Sequence, residues 1–160
     1  MIRILGIDPG IASTGWGVIE AEGSKFRSLD YGFIKTTPSE TPGQRLMTIY
    51  NTIRQVIDQY KPEKASVEDI FFARNKDSAI PVAQAKGVIL LAMESKEIET
   101  FVFTPLQIKQ ALTGNGRAEK NQVQEMVKLI LGVKEKIKPD HAADALAAAI
   151  CCYNNTGLGV

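Results

Sequence analysis

The stretch that decides the fold is ILGIDPGIASTGWGVIE, residues 4–20. It begins with an apolar run that ends in a single acid, Asp8, followed at once by a proline and a glycine. Apolar and β-branched residues closed by Pro-Gly are typical of a buried strand with a turn behind it. Because an apolar pattern resumes over residues 13–20, the stretch predicts two strands with a carboxylate at the end of the first.

Beyond this stretch, the sequence predicts a third strand and then alternating helices and strands. Residues 26–36 continue the strand pattern after a turn at Gly23, so the chain begins with three antiparallel strands. Thr41-Pro42 is typical of a capped helix start, and Lys61-Pro62 of a helix end. The further predicted elements are a strand over 64–68, a helix from Asp77 or Ser78 to about residue 95, a strand over 100–103, a short helix after Thr104, and helices over 118–131 and 139–153.

This order, βββ-α-β-α-β-α-α-α, indicates an α/β fold. We expect a five-stranded mixed sheet, in which three antiparallel strands are followed by parallel strands, flanked by helices. The chain has 160 residues, which is the length of one domain, so we expect a single domain over 1–160.

The composition is that of an ordinary globular protein. The chain is 44% hydrophobic and has a net charge of +1, which does not indicate a uniformly basic surface for nucleic acid. Its two cysteines, Cys151 and Cys152, are adjacent, so we expect small buried thiols rather than a disulfide or a metal site. We find no basic leader and no apolar run near the ~20 residues of a membrane span, so we expect a cytoplasmic protein without membrane contact.

Four polar side chains are predicted to meet at one edge of the sheet. Asp8 and Glu68 each end a strand, and ligands of open α/β sheets bind at the carboxyl ends of strands. The final helix carries PDHAADALAAA, in which His141 and Asp144 are three residues apart and share a face. The surrounding alanines would let this helix pack closely on the sheet and bring both side chains to the strand ends.

Three carboxylates and an imidazole in one pocket indicate a cation, because the carboxylates would otherwise repel one another. Mg²⁺ or Mn²⁺ suits such an oxygen-rich set, and imidazole suits Mn²⁺ better than Mg²⁺. Two such ions can clamp the attacking and leaving oxygens of a phosphodiester during in-line attack by water. We predict that Asp8 contacts both ions and that Glu68 contacts one. His141 and Asp144 are predicted to contact the other.

Each of these residues also has a simpler interpretation. Asp-Pro-Gly is good turn chemistry, so Asp8 alone could be a turn residue. A histidine near a helix start is commonly a surface residue, and Asp140 is better explained as a first-turn acid than as a ligand. Ala12, Ser13 and Gly15 would leave room for a DNA strand, but they also suit a tight hairpin with nothing bound.

Motifs spread along the chain occur in the order GIDPG with TGWGVI, VEDIFFARNKDSA, GNGRAEKNQV and DHAADALA. Together they resemble the RuvC family of Holliday-junction resolvases, over roughly residues 2–153. The resemblance implies an RNase H-like fold with helices on both faces of a five-stranded mixed sheet. It also implies a Mg²⁺-dependent homodimer that nicks two symmetry-related strands of a four-way DNA junction in recombination and repair. The family acts beside the RuvA and RuvB branch-migration proteins.

The resemblance assigns the catalytic and metal-binding residues by position. The family's four such residues fall on Asp8, Glu68, His141 and Asp144. Some members carry an aspartate where this chain has His141, and Asp140 precedes it here. The set of four residues implies two Mg²⁺ ions per active site, for which Mn²⁺ can substitute, and the histidine shifts the preference toward Mn²⁺.

Local charge predicts where the DNA backbone lies. Residues 101–139 contain seven Lys or Arg and three Glu, an excess of four in a chain whose total is +1. Residues 114–117 could offer backbone amides to a phosphate, or they could form an ordinary turn. The resemblance matches Lys109 and Lys120 to basic positions near the scissile phosphate, and Arg117 is a further candidate.

Two aromatic and two basic residues follow Glu68 closely, in FFARNK. Aromatic faces can stack on unpaired bases while Arg74 and Lys76 hold the flanking phosphates. The simpler interpretation is that one phenylalanine is a core residue and the other fills the loop. By resemblance, Phe71 matches the aromatic residue that wedges at the crossover point of the junction.

The helix over residues 80–93 is apolar on more than one face, which predicts a two-fold dimer interface. The candidate interface residues are Val88, Leu90, Leu91 and Met93.

Three other functions fit parts of the sequence. The glycines of residues 8–17 also suit the phosphate-binding hairpin of an actin-, Hsp70- or sugar-kinase-like ATPase, but such a site needs two related domains. A non-catalytic nucleic-acid-binding module is disfavoured by the complete set of four site residues. Another RNase H-like nuclease, acting on duplex or RNA–DNA hybrid, is disfavoured only by FFARNK, which suits a branched substrate.

Overall fold

The computed structural model describes residues 1–69 and 76–157, apart from the side chains at positions 76 and 78. Five strands and five helices follow one another in these two ranges, in the predicted order. They are β1 (Ile2–Asp8), β2 (Ser13–Glu22), β3 (Lys25–Lys35), α1 (Pro42–Tyr60), β4 (Lys64–Glu68), α2 (Lys76–Glu94), β5 (Glu99–Phe103), α3 (Pro105–Thr113), α4 (Lys120–Leu131) and α5 (Asp140–Asn155).

The strands form one mixed sheet in the order β3-β2-β1-β4-β5. β2 pairs antiparallel with both β1 and β3, whereas β4 pairs parallel with both β1 and β5. Ile7 pairs with Val67, so the residues that follow them, Asp8 and Glu68, end adjacent parallel strands at the same edge. The predicted five-stranded mixed sheet is confirmed.

Side-chain caps explain where the helices begin. The Thr41 and Thr104 hydroxyls each accept a hydrogen bond from the backbone amide three residues later, as is typical of a capping box. Both caps are followed directly by proline, which suits the first helical position. α2 differs from its prediction, because it begins at Lys76 and Asp77 therefore lies in its first turn.

Apolar side chains are buried on both faces of the sheet. One core lies between the sheet and α3, α4 and α5, and it includes Ile4 and Leu146. The second lies against α1 and α2 and includes Leu5 and Ile53. Helices on both faces are therefore confirmed. Among the described residues, no helix is both long and apolar enough to span a membrane.

The structure contradicts the assignment of Met93 to a dimer interface. Its side chain is 0% exposed and packs in the core beside α1. Part of the apolar excess of α2 is therefore used inside the chain. Leu91 is 60% exposed, and Val88 and Leu90 are partly buried. Cys151 and Cys152 are buried and form no disulfide, as predicted.

α5 lies unusually close to β1 and β2 because glycines face it. A Cβ added to Gly6 would lie 1.9 Å from the carbonyl oxygen of Ala145, and one added to Gly15 would lie 2.0 Å from that of His141. A Cβ on Gly17 would lie 2.6 Å from the Leu146 side chain. Any side chain at these strand positions would push α5 off the sheet.

Gly6→Ala tests this packing. We expect it to lower the free energy of unfolding by about 1–3 kcal/mol or more, since neither the strand nor the helix backbone can yield cheaply. Urea denaturation measures this change. Gly87→Ala is the matched control, because no described heavy atom lies within 4 Å of its added Cβ and alanine favours a helix interior. Equal stabilities of the two variants would contradict the close-packing account.

Candidate metal centre

Two strand ends and one helix bring the four candidate residues to one edge of the sheet. Asp8 and Glu68 are the last residues of β1 and β4. α5 begins at Asp140, and the backbone of His141 lies against Gly15, the residue that pairs with Asp8 in the sheet. The register and the close approach of α5 therefore fix where the side chains meet.

Three of the four side chains form a compact group. Ligand atoms of Asp8, His141 and Asp144 all lie within 4.8 Å of one another. His141 Nδ1 lies 2.9 Å from Asp8 Oδ2, which is hydrogen-bond distance. Glu68, on the neighbouring strand, lies close enough for the charges of Asp8 and Asp144 to affect its pKa, and it lines the same cavity as Asp144. All four predicted residues thus lie at one site.

Burial and mutual repulsion raise the pKa values of the carboxyl groups. Desolvation, together with the charges of Asp8 and Asp144, raises the pKa of Glu68 to about 9. Desolvation and the charge of Asp8 raise the pKa of Asp144 to about 6. The Asp8 carboxylate, which accepts a hydrogen bond from the protonated imidazole, also raises the pKa of His141 above its ordinary value. The site therefore favours the uptake of protons or of a cation.

Lys120 supplies part of the missing positive charge. Its Nζ lies 3.4 Å from Asp144 Oδ2 and 3.7 Å from Asp140 Oδ2. Partial burial lowers the pKa of Lys120, but the charges of Asp144 and Asp140 outweigh this effect and raise it overall. Asp140 lies in the first turn of α5, as predicted, and it faces a lysine.

A cavity of about 310 Å³ opens beside the carboxylates. Its polar lining consists of Glu68, Lys109, Lys120 and Asp144, and its apolar wall comes from α3, α4 and α5. The two lysines that were matched to positions near the scissile phosphate therefore lie beside the carboxylate group.

The turn between α3 and α4 does not present free amides to a phosphate. The Asn115 and Gly116 amides donate to the side chains of Thr113 and Gln110, and the Arg117 amide donates to Asn115 Oδ1. The alternative interpretation, an ordinary turn, is therefore correct for its backbone. The Arg117 side chain is exposed on this turn and does not line the cavity. Phe71 and Arg74 lie outside the described residues, as does the side chain of Lys76.

The expectation that Gly15 makes room for DNA is wrong, because the backbone of His141 fills the space beside it. The role of Gly6 and Gly17 in seating α5 was missed. A signal for it exists in the sequence, since glycines at alternate strand positions precede an alanine-rich helix. The ion pair between Lys120 and Asp144 had no comparable signal.

The residues present fit a divalent cation of the Mg²⁺ or Mn²⁺ type. They offer carboxylate oxygens and one imidazole nitrogen, which are the donors these ions accept. A bound cation would also offset the burial and the mutual repulsion that raise the pKa values of Glu68 and Asp144.

Comparison with known proteins identifies a family whose members the whole chain resembles. The family model described as crossover junction endodeoxyribonuclease RuvC matches residues 4–152. The chain is 46% identical over 156 residues to the protein of that name from Treponema denticola, covering 98% of this chain and 88% of the relative. It is 48% identical over 148 residues to the one from Alkaliphilus metalliredigens, covering 92% and 90%.

The solved structures to which this chain is similar include RuvC proteins. The Thermus thermophilus RuvC structure superposes with a TM-score of 0.92 at 38% identity, covering 99% of this chain and 97% of that one. A second structure, of the same protein in complex with Holliday junction substrate, also has a TM-score of 0.92. The yeast mitochondrial resolvase Ydc2, at 15% identity and a TM-score of 0.64, shares the fold.

The raised pKa values predict how stability depends on pH and metal. Glu68 and Asp144 hold their protons more tightly in the folded chain, so their stabilising contribution is complete below about pH 4 and is lost as the pH rises through about 6 and about 9. With a chelator present, we expect the melting temperature to fall between pH 6 and pH 9. Added Mg²⁺ should raise it, and by more at pH 9.

Glu68→Gln should remove much of this pH dependence and raise the melting temperature in chelator at pH 9. Glu125→Gln is the matched control, because Glu125 is 71% exposed on α4. If the melting temperatures of Glu68→Gln and Glu125→Gln depend on pH in the same way in the presence of a chelator, Glu68 is not the source of the pH dependence. Differential scanning fluorimetry gives all of these values.

Proposed function

Because this chain belongs to the RuvC family of crossover junction endodeoxyribonucleases, we propose that it resolves four-way DNA junctions by paired symmetric nicks at the Asp8 centre. The observation that carries this proposal is the group of Asp8, His141 and Asp144 ligand atoms within 4.8 Å, with Glu68 at the end of the adjacent parallel strand. A further support is the likeness to the Thermus thermophilus complex with a Holliday junction.

Two Mg²⁺ ions per site are part of the proposal, and Mn²⁺ can substitute for them. Asp8 would contact both ions, since it contacts His141 of α5 and ends the strand that adjoins β4, which carries Glu68. Glu68 would hold one ion, and His141 with Asp144 would hold the other. Bound ions of this class activate water and neutralise charge on the phosphodiester. Hydrolysis with a 3′-hydroxyl and a 5′-phosphate as products needs no covalent enzyme intermediate.

The chain's own residues prepare the site for a phosphate. Lys120 holds Asp144 in place through their ion pair, and it shares the cavity lining with Lys109. We propose that both lysines contact DNA near the scissile phosphate, where they offset the charge of the backbone. Arg117 would contact DNA further along, from the exposed turn between α3 and α4.

Residues beyond Glu68 would contact the junction itself. We propose that Phe71 wedges at the crossover point and that Arg74 and Lys76 hold the flanking phosphates. These assignments come from the family resemblance and from the chemistry of aromatic and basic side chains.

We also propose a homodimer, since two active sites suit the two strands to be cut. An apolar groove between α1 and α2 is the best candidate interface, lined by Leu46, Met47, Tyr50, Val88 and Leu91. Leu90 would lie at its border. By family resemblance, the protein would work in the cytoplasm beside RuvA and RuvB.

The ATPase alternative has lost its support. Family membership accounts for the glycines of the first hairpin, of which Gly15 and Gly17 face α5. The carboxylate group also disfavours a non-catalytic binding module.

Asp8→Asn tests the catalytic assignment. We expect cleavage of a synthetic four-way junction to fall by on the order of 10³-fold or more, because the variant loses a ligand charge. Junction binding should persist, since the asparagine repels phosphates less. Gel assays of nicking and of mobility shift measure the two properties. Wild-type protein should nick the junction symmetrically and leave duplex and RNA–DNA hybrid uncut.

Asp140→Asn is the control for Asp8→Asn, because Asp140 lies outside the compact ligand group and should be dispensable for cleavage. Efficient nicking by Asp8→Asn, or equal cutting of hybrid and junction by the wild type, would contradict the proposed function.

Leu91→Glu tests the dimer interface. We expect the dimer to weaken by about 10-fold or more, because a charge would enter an apolar contact. Leu129→Glu is the control, since Leu129 is 74% exposed on α4 and does not line the groove. Sedimentation velocity over a concentration series separates the outcomes. If both variants dimerise alike, the interface lies elsewhere.

A further inference from the structure

Two threonine hydroxyls bind the backbone of residues 10–12, the segment that follows Asp8 and Pro9. Thr14 Oγ1 donates to the Gly10 carbonyl at 2.5 Å and accepts from the Gly10 amide at 3.4 Å. Thr36 Oγ1 donates to the carbonyl of Ile11, and the Thr36 amide donates to the carbonyl of Ala12 at 3.1 Å. The three successive carbonyls of residues 10–12 therefore each accept a hydrogen bond from Thr14 or Thr36.

These two threonines occupy positions where a polar group is costly. Thr14 is 0% exposed and Thr36 is 3% exposed, at the strand ends next to the core that faces α1. A buried hydroxyl is unfavourable unless it is hydrogen-bonded. Valine would fit the shape of either position and avoid this cost. Their hydroxyls are therefore explained by the segment that they bind.

Arg45 of α1 completes the arrangement. Its Nε donates to Thr36 Oγ1 at 2.8 Å. The Thr36 hydroxyl thus accepts a hydrogen bond from Arg45 and donates one to the Ile11 carbonyl. Because Arg45 is a donor, the hydroxyl proton points toward Ile11. Arg45 lies one turn inside α1, whose start is fixed by the Thr41 capping box.

The segment is also too tightly folded to adjust freely. A Cβ added to Gly10 would lie 2.2 Å from the carbonyl oxygen of Ser13. Asp8 lies two residues before the segment, and its side chain is held on the α5 side by the hydrogen bond with His141. Ile11, within the segment, packs against the core that faces α1. The chain that follows Asp8 is therefore anchored on the α1 side, while the Asp8 carboxylate contacts α5.

We propose that Thr36, oriented by Arg45, is a positioning residue for Asp8. It holds residues 11 and 12 in the arrangement from which the preceding residues place the Asp8 carboxylate for the ligand group. This inference rests on the proposed function for its effect on cleavage, but its effect on metal affinity is independent of the substrate. A displacement of ~1 Å at a reacting group can reduce a rate by about 100-fold.

Thr36→Val removes the hydroxyl and keeps the shape of the side chain. We expect the single-turnover cleavage rate at saturating Mg²⁺ to fall by about 10- to 100-fold, while the junction Kd changes by less than about 3-fold. Mn²⁺ affinity, measured by titration without DNA, should weaken several-fold. Thr36→Ser should restore both properties, since serine keeps the hydroxyl. Arg45→Met, which leaves the core intact, should show a smaller loss of the same kind.

Thr52→Val is the matched control, because the Thr52 hydroxyl donates only to the Thr48 carbonyl of its own helix. The proposal is overturned if Thr36→Val matches Thr52→Val in rate and in Mn²⁺ affinity, or if Thr36→Ser is as impaired as Thr36→Val. Should Thr36→Val fail to fold, Arg45→Met decides by the same two measurements. A wild-type protein that binds Mn²⁺ but cuts no junction contradicts the proposed function instead, and the Mn²⁺ affinities then decide this proposal.

Discussion

The candidate metal centre depends on one steric constraint, the contact between the backbone of α5 and the glycines of β1 and β2. No space remains for a Cβ at Gly6 or Gly15, and the buried face of α5 consists largely of alanines, which allow the same close approach. This close approach places His141 over the end of β2 and brings Asp144 to the ends of β1 and β4. With a helix seated even one side chain further out, the two α5 ligands would no longer meet Asp8.

Bringing the four side chains together at one site is electrostatically unfavourable for the folded chain. Burial of these carboxylates, together with the negative charges of their neighbours, raises the pKa of Glu68 to about 9 and that of Asp144 to about 6. Lys120 offsets part of that charge from the outside, and a divalent cation would offset the rest. A site that is unfavourable by itself is thereby favourable for a divalent cation, a common relation between stability and function.

Periodicity predicted most of this fold, because its elements are strongly patterned and their ends carry proline, glycine and threonine signals. Asp8 and Glu68 could be placed at one edge because both end parallel strands. The sequence could not separate the uses of similar residues. Gly15 suited either an approaching DNA strand or a tight hairpin and in fact packs against α5, and Met93 was predicted at a dimer interface but lies in the core. Contacts between distant segments, such as Arg45 with Thr36, leave no local pattern to read.

The central claim is that this packing builds a two-ion site around Asp8, and anomalous diffraction from Mn²⁺-soaked crystals tests it most directly. We predict two Mn²⁺ peaks on either side of the Asp8 carboxylate, each at about 2.0–2.5 Å from its oxygen ligands. Glu68 should contact one ion, and His141 with Asp144 the other. Peaks that avoid Asp8, or Mn²⁺ bound only at acids outside this group, would contradict the account.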